Sequence, residues 1–432
     1  MKYIIATCQF NAAVNVNLLQ NILLFAKKHS VENLYLFVQN GQYKEDDIID
    51  KRIFDAGFIL VDSLKLNANL RLKDMKILAQ QINPFTGMNQ KLDRDFSYIL
   101  PSSKIRYQSL ANTSKYPRAL LTTGSITKPN YKMHTAQGRK ANQQHQFGFV
   151  YVSTESNTIF NAHQIEATKQ GDFQFMREKY HSGKVSFEQP EAIILGDWHT
   201  GDTEPKIRTK TIAMLKDLKP KRVVFHDIFN GHSINPHEKG DLIQELRRVA
   251  TNKLSLHVEL EKVLKEIQFF ATTFPEIDFL VAESNHDIFL ERYIRSKDFM
   301  YHPENFMFVC QMLPEIIKGE RPTLEVALSQ VGTLPLNFMF GKEDQSYRVR
   351  GVELLYHGHR GANGSRGTSG QFDKLNLKMI TGHEHSPKLY QNGMVVGTST
   401  KLKLDYTKGA SSWLNAHGIL YSNGKYALIT LI

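Results

Sequence analysis

Cysteine is scarce in this chain: among 432 residues there are 2, Cys8 and Cys310. Two distant cysteines make no disulfide framework, and without a spaced Cys pair a structural zinc finger is excluded. The compartment expected from this usage is a reducing cytoplasm. Long apolar runs are missing as well, and none approaches the roughly 20 residues of a membrane span. The apolar stretch at the start, Met1 to Gln9, is too short for a signal-peptide core, and the Asn-rich run behind it fits no cleavage site. Acidic residues are absent from Phe96 through Thr154. Apolar residues are not scarce. They make up 41 % of the chain, with 26 Phe and 17 Tyr, enough for a sizeable core and too many for a disordered chain. The length suggests two domains.

Charge is unevenly placed. Residues 1–190 carry 24 Lys+Arg against 15 Asp+Glu, whereas residues 191–432 carry 30 against 28. Within the acid-free stretch lie Lys104, Arg106, Lys115, Arg118, Lys128, Lys132, Arg139 and Lys140, interleaved with Tyr98, Tyr107, Tyr116, Tyr131 and Phe147. Cations with aromatics suit a polyanion, because Lys and Arg neutralise phosphates while rings stack on bases. A solvated loop region is the competing reading.

Periodicity divides the chain in two. Tyr3–Thr7 reads as a strand, Asn15–Lys28 as a helix through Leu18, Leu19, Ile22, Leu23 and Ala26, and Asn33–Val38 as a strand. Residues 81–146 are rich in Asn, Gln, Ser, Gly and Pro and predict long loops, with strands at Leu120–Ile126 and Phe147–Thr154. The polar stretch Thr168–Pro190 predicts a linker. From Glu191 a different pattern begins. Short apolar runs at Ala192–Leu195, Arg222–Phe225, Ile277–Ala282, Val352–Tyr356 and Lys378–Thr381 each end in Asp, Asn or His. Between the second and third lies a helical segment, Gly240–Thr273, expected to pack or to mediate self-association. The tail from Met394 is strand-like.

Strand ends are where open α/β sheets bind ligands. One His at such an end is usually a satisfied polar residue; five such groups in order are not explained that way. The segments Gly196-Asp197-Trp198-His199, His226-Asp227-Ile228-Phe229-Asn230, Ser284-Asn285-His286-Asp287, His357-Gly358-His359 and Gly382-His383-Glu384-His385 resemble the five ordered motifs of the calcineurin-like metallophosphoesterase superfamily. The resemblance spans about residues 191–432. Family members usually carry Gly where this chain has His226 and Ser284, and Asp where it has Asn230.

The resemblance implies an α/β chain: a metallophosphoesterase β-sandwich flanked by helices at 186–432, preceded by a separate, smaller, basic α/β domain at 1–185. It implies two divalent metal ions, one held by Asp197, His199, Asp227 and His385 and the other by Asp227, Asn285, His357 and His383. His286 would sit beside the scissile phosphate. Asp287 would orient His286, unless it is simply a helix cap. Two such ions clamp a phosphoryl group and make hydroxide available near neutral pH. Mixed nitrogen and oxygen donors favour manganese, with iron, zinc or magnesium as alternatives. Beside the fourth motif, Arg360 and Arg366 in a glycine-rich loop can fork to phosphate oxygens, and His232 can reach substrate.

Within the superfamily, the basic N-terminal part (Lys128, Lys132, Arg139, Lys140) and the two arginines favour a nucleic-acid phosphodiester. The motifs are similar to those of SbcD-type nucleases. The sequence around 83–87, 123–131 and 409–418 is similar to phage-encoded members. The expected activity is a metal-dependent DNA nuclease in a bacterial cytoplasm, without membrane contact. The alternatives are a phosphomonoesterase or nucleotide phosphatase, and a nucleic-acid-binding protein whose phosphoesterase site is vestigial.

Overall fold

In the computed structural model, the described residues are 1–39, 47–114, 116–251, 253–372, 375–403 and 409–431. The chain is a mixed α/β protein with several sheets. Its two compact units interleave in sequence. One comprises 1–190, 386–394 and 403–432; the other comprises 191–385 and 395–402. The expected division at 185/186 assigned the whole C-terminal tail to the second domain, whereas most of that tail groups with the first unit.

The first unit is built on an eight-stranded sheet. One of its inner strands, Lys2–Gln9, runs parallel to Asn33–Gln39 and antiparallel to Phe147–Thr154. The helix Val16–Lys28 starts at Asn15, whose side chain accepts from the Leu18 N–H at 3.2 Å. It buries Leu18, Leu19, Ile22 and Phe25. Phe25 sits among Phe149, Tyr151, Phe173, Phe175 and Tyr180 with ring centroids 5.2–6.0 Å away. Three of those rings come from the stretch expected to be a linker. It forms the strands Phe173–Phe175, Glu178–His181 and Lys184–Phe187 instead. Phe173 and Tyr180 face the core, and polar residues alternate with them along the strands. That mixture looks like linker composition until it is read at period two. The expected long loops at 81–146 also contain strands, at Ser97–Leu100 and Tyr107–Leu110, and a helix at Ala136–Gln143, while the strand expected at Leu120–Ile126 is found at Arg118–Thr122.

The second unit holds four parallel strands in the spatial order Phe338–Phe340, Asp278–Val281, Arg222–Phe225, Ala192–Ile194. Almost every residue in the last three is buried, as expected of strands covered on both faces. Trp198, Phe225, Phe270 and Phe279 pack edge to face and tilted at their centre. The helix Leu256–Thr273 supplies Phe270 and buries Leu260, Val263, Leu264 and Ile267. Because the strands are parallel, their C-terminal ends deliver the first three motifs to one edge. Short strands at Val352–Glu353 and Met379–Thr381, parallel to one another, precede the other two motifs. No helix among the described residues is long and apolar enough to cross a membrane.

Candidate metal centre

Asp197, His199, Asp227 and His385 converge: one donor atom from each lies within 4.8 Å of all the others, and all four residues are buried. The loops carrying them are stitched by backbone bonds. The Trp198 N–H donates to the His226 carbonyl at 2.9 Å, and the His199 N–H donates to that of Asp227 at 2.6 Å. The His383 N–H donates to Asp197 Oδ2 at 2.8 Å. Four of the residues with metal-binding side chains adopt left-handed backbone: His199 (φ 48°), Asp227 (φ 47°), His383 (φ 74°) and His385 (φ 54°). This conformation costs a side-chain-bearing residue about 1–2 kcal/mol. Such strain concentrates where geometry serves a ligand.

Asp227 stands between two groups. On one side its Oδ2 lies 3.5 Å from His199 Nε2, and His199 Nε2 lies 3.2 Å from His385 Nε2. On the other it lies 3.3 Å from His357 Nε2. His357 Nε2 and His383 Nδ1 each lie 3.0 Å from Asn285 Oδ1. All seven expected metal-ligating residues are therefore gathered in one place, with Asp227 common to both halves.

The donor set fits divalent cations. Among the described residues, Asp197 Oδ1 and Asp227 Oδ1 are buried with no hydrogen-bond donor. A buried carboxylate oxygen left bare is costly unless a cation faces it. Burial would raise both carboxyl pKa values. The surrounding histidines, His385 beside Asp197 and His357 beside Asp227, outweigh that and hold both below the usual range. Burial pushes His199 down to about 3 and His383 to about 4, so both present lone pairs. His357 is the exception: burial alone would lower it, but the Asp227 carboxylate raises it to about 9.

His286 is oriented by the main chain: its Nδ1 donates to the Asn230 carbonyl at 2.6 Å. Its ring lies against His199 and Phe289, with centroids 4.7 and 4.8 Å away. Asp287 is not its partner. Asp287 Oδ2 accepts from the Ser284 N–H at 2.9 Å, and the residue begins the helix Asp287–Arg295. Burial drives its carboxyl pKa well above the usual range. Asp287 shapes the turn that presents Asn285 and His286.

Beside His286 lies a group that sequence reading missed in part. Asp202 Oδ2 accepts from Asn230 Nδ2 at 2.7 Å and pairs with His232 Nε2 at 2.9 Å. Asp202 follows His199 by three residues, but a lone Asp in a loop carries no signal of its own. His232 is half-buried and fixed by this pair. His226 is fully buried with Nδ1 3.4 Å from His357 Nδ1. Gly382 allows this crowding: a Cβ there would lie 2.2 Å from Asp197 Oδ1 and 3.0 Å from His226 Cβ and Cγ.

The glycine-rich loop is folded, not slack. Gly361 N–H donates to Ser365 O at 2.7 Å and Gly367 N–H to His359 O at 2.9 Å. The Ser369 N–H donates to Glu384 Oε1 at 2.9 Å, fastening the loop to the residue between His383 and His385. Arg360 is held by Glu343 at 2.6 Å, and Arg366 is exposed.

The expected basic surface belongs to the first unit and is smaller than its composition. Lys128, Lys132, Arg139 and Lys140 are exposed. Lys104 and Arg106 are buried, with Lys104 Nζ donating to the Ala79 carbonyl at 2.6 Å. Arg118 pairs with Asp95 at 3.2 Å. Lys115 lies outside the described residues. Tyr98, Tyr107, Tyr131 and Phe147 are buried core residues, closed to stacking on bases.

No protein-family model matches the chain. Over 460 residues it is 25 % identical to Protein A1 of Escherichia phage T5, an alignment covering 99 % of this chain and 81 % of that one. Among solved structures it is similar to Vps29 of Chaetomium thermophilum, at 10 % identity and a TM-score of 0.25, over 44 % of this chain and 96 % of that one. A score of that size carries no functional weight.

Proposed function

We propose that this chain is a metal-dependent phosphodiester hydrolase of the calcineurin-like type, with DNA as its substrate. The observation that carries the reading is the shared position of Asp227 between two buried sets of donors, Asp197/His199/His385 and Asn285/His357/His383. The motif order supports it independently. The full-length likeness to a phage T5 protein favours a phage-encoded enzyme working in a bacterial cytoplasm.

Two divalent ions, manganese first among the candidates, would be held by those residues. When bound, such ions neutralise charge developing on the phosphoryl group and make hydroxide available near neutral pH. The chain's own groups do the rest. Asp197 and Asp227 bring fixed negative charge into a buried cluster, and the left-handed backbone at Asp227 helps to aim its carboxylate. The Asn230 carbonyl holds the Nδ1 proton of His286, so its charged form carries a second proton on Nε2. That proton is the one His286 passes to the leaving oxygen. Arg366 and the exposed Lys128, Lys132, Arg139 and Lys140 are the proposed phosphate contacts.

The test compares a diester and a monoester: Mn²⁺-dependent hydrolysis of bis-p-nitrophenyl phosphate and linear duplex DNA against p-nitrophenyl phosphate, for wild type and His286→Ala. The reading expects diester and DNA cleavage, lost by a factor of about 10² or more in the variant. Faster monoester hydrolysis with intact DNA would make the enzyme a phosphatase. Metal binding without hydrolysis of any of the three would make the site vestigial.

A further inference from the structure

In the first unit, the C-terminal ends of the parallel strands Lys2–Gln9 and Asn33–Gln39 border a cavity of about 530 Å³. Open α/β sheets take their ligands at such strand ends, and the volume is that of a small-molecule pocket. Phe10, Val38, Met75, Ile77 and Ala141 give the cavity apolar walls. The exposed side chains of Lys76, Lys132 and Asp74 also line it.

The strand register sets Gln9 directly beside Gln39. Residues paired in this way on parallel strands point to the same face, so the two amides stand side by side. Gln39 lines the cavity and its amide is complete: Oε1 accepts from the Ser103 N–H at 3.1 Å and Nε2 donates to the Ile77 carbonyl at 2.7 Å. Gln9 is 0 % exposed, and among the described residues neither atom of its amide has a hydrogen-bond partner. Tyr131, another lining residue, is its polar neighbour. The amide offsets part of the rise that burial causes in the Tyr131 pKa, but the two groups are not in hydrogen-bonding geometry. The single Tyr131 hydroxyl proton already has two acceptors, Ser103 Oγ at 2.9 Å and His145 Nδ1 at 3.0 Å. A buried amide with its donor and its acceptor both unused is costly to keep. A ligand that supplies both partners removes that cost.

We propose that this cavity binds an adenine base, with the Gln9 amide reading its edge. A glutamine amide matches adenine in two bonds, its oxygen accepting from N6–H and its nitrogen donating to N7. Guanine places an acceptor, O6, where adenine has the N6 donor, so it repels the amide oxygen. Cytosine offers a comparable donor and acceptor, but its single ring covers less of the apolar walls. Lys76 and Lys132 are placed for the phosphate of a nucleotide. The base comes from a free nucleotide or from an unpaired DNA strand.

Calorimetric titration of the full chain without divalent metal tests this, independently of hydrolysis and of the metal centre. Wild type is expected to bind adenosine monophosphate at least tenfold more tightly than guanosine or cytidine monophosphate. Gln9→Met keeps the side-chain length and removes the unpaired amide. The variant should melt no lower than wild type and bind adenosine monophosphate at least tenfold more weakly. Oligo(dA) binding more tightly than both oligo(dT) and the mononucleotide, with the same dependence on Gln9, would assign the base to a DNA strand; tighter binding of the mononucleotide would assign it to a free nucleotide. A wild type that binds neither, or that binds the adenosine and guanosine nucleotides equally, would overturn the proposal. So would a folded Gln9→Met protein with wild-type affinity.

Discussion

Replacing Gly382 with Ala adds one carbon where the site has no room. The new Cβ would fall 2.2 Å from Asp197 Oδ1, against an ordinary contact of roughly 3.5 Å, so the carboxylate must retreat by about 1 Å. His226 blocks the other side, with Cβ and Cγ 3.0 Å away. Metal–ligand distances tolerate only about 0.2 Å, so a displaced Asp197 no longer completes the donor set. The expected loss is about 10- to 100-fold in Mn²⁺ affinity, or about 1.4–2.7 kcal/mol, the size found when a group supporting a ligand is disturbed. Overpacking adds about 1–3 kcal/mol of destabilisation to the metal-free protein. Calorimetric titration of the metal-free variant with Mn²⁺ reads the first effect and its melting curve reads the second. A folded Gly382→Ala protein binding Mn²⁺ within twofold of wild type would refute the argument that this glycine makes space for Asp197.

Two further outcomes concern the charges. Burial lowers Lys104 from 10.5 to about 7. The unfolded chain therefore binds the extra proton between pH 7 and 10.5, and stability rises with pH across that window. Below pH 7 the full penalty is present, on the order of 5 kcal/mol. Lys104→Met should exceed wild type in urea stability at pH 7 and lose that advantage by pH 10; parallel pH dependences for the two proteins would contradict this. Asp202 runs the other way: burial would raise it, but the hydrogen bond from His232 dominates and brings it from 3.8 down to about 2. Its contribution, about 2 kcal/mol, is complete above pH 4 and disappears as pH falls through 2. Asp202→Asn should be less stable than wild type by up to that amount at pH 6, with the gap closing in acid. A gap that stays constant down to pH 2 would assign the loss to packing.

The candidate metal-site residues stood out because of how parallel strands are buried. Runs such as Arg222–Phe225 are apolar on both faces, so the first polar residues after them stand out, and their types announce cation chemistry. The strands at 173–187 were hidden because only alternate residues, Phe173, Phe175 and Tyr180, face the core, and the polar ones between them dominate the composition. Asp202 and Glu343 were invisible for another reason: each acts through contacts formed only by folding, Asp202 with Asn230 and His232 and Glu343 with His359 and Arg360. The basic stretch was overread since composition does not say which side chains point inward, and Lys104, Arg106 and four of the rings do. The helix Leu242–Ala250 shows the same limit in reverse: its period identifies an apolar face without saying what meets it.

In the proposed function, Asp227 joins two donor sets into one metal centre for phosphodiester cleavage. The most direct measurement is the Mn²⁺ stoichiometry of metal-free wild type and Asp227→Asn, with cleavage of linear duplex DNA followed on the same samples. Two ions per wild-type chain are expected, fewer in the variant, with cleavage reduced by orders of magnitude. An Asp227→Asn protein that binds two ions and cleaves DNA like wild type would contradict this.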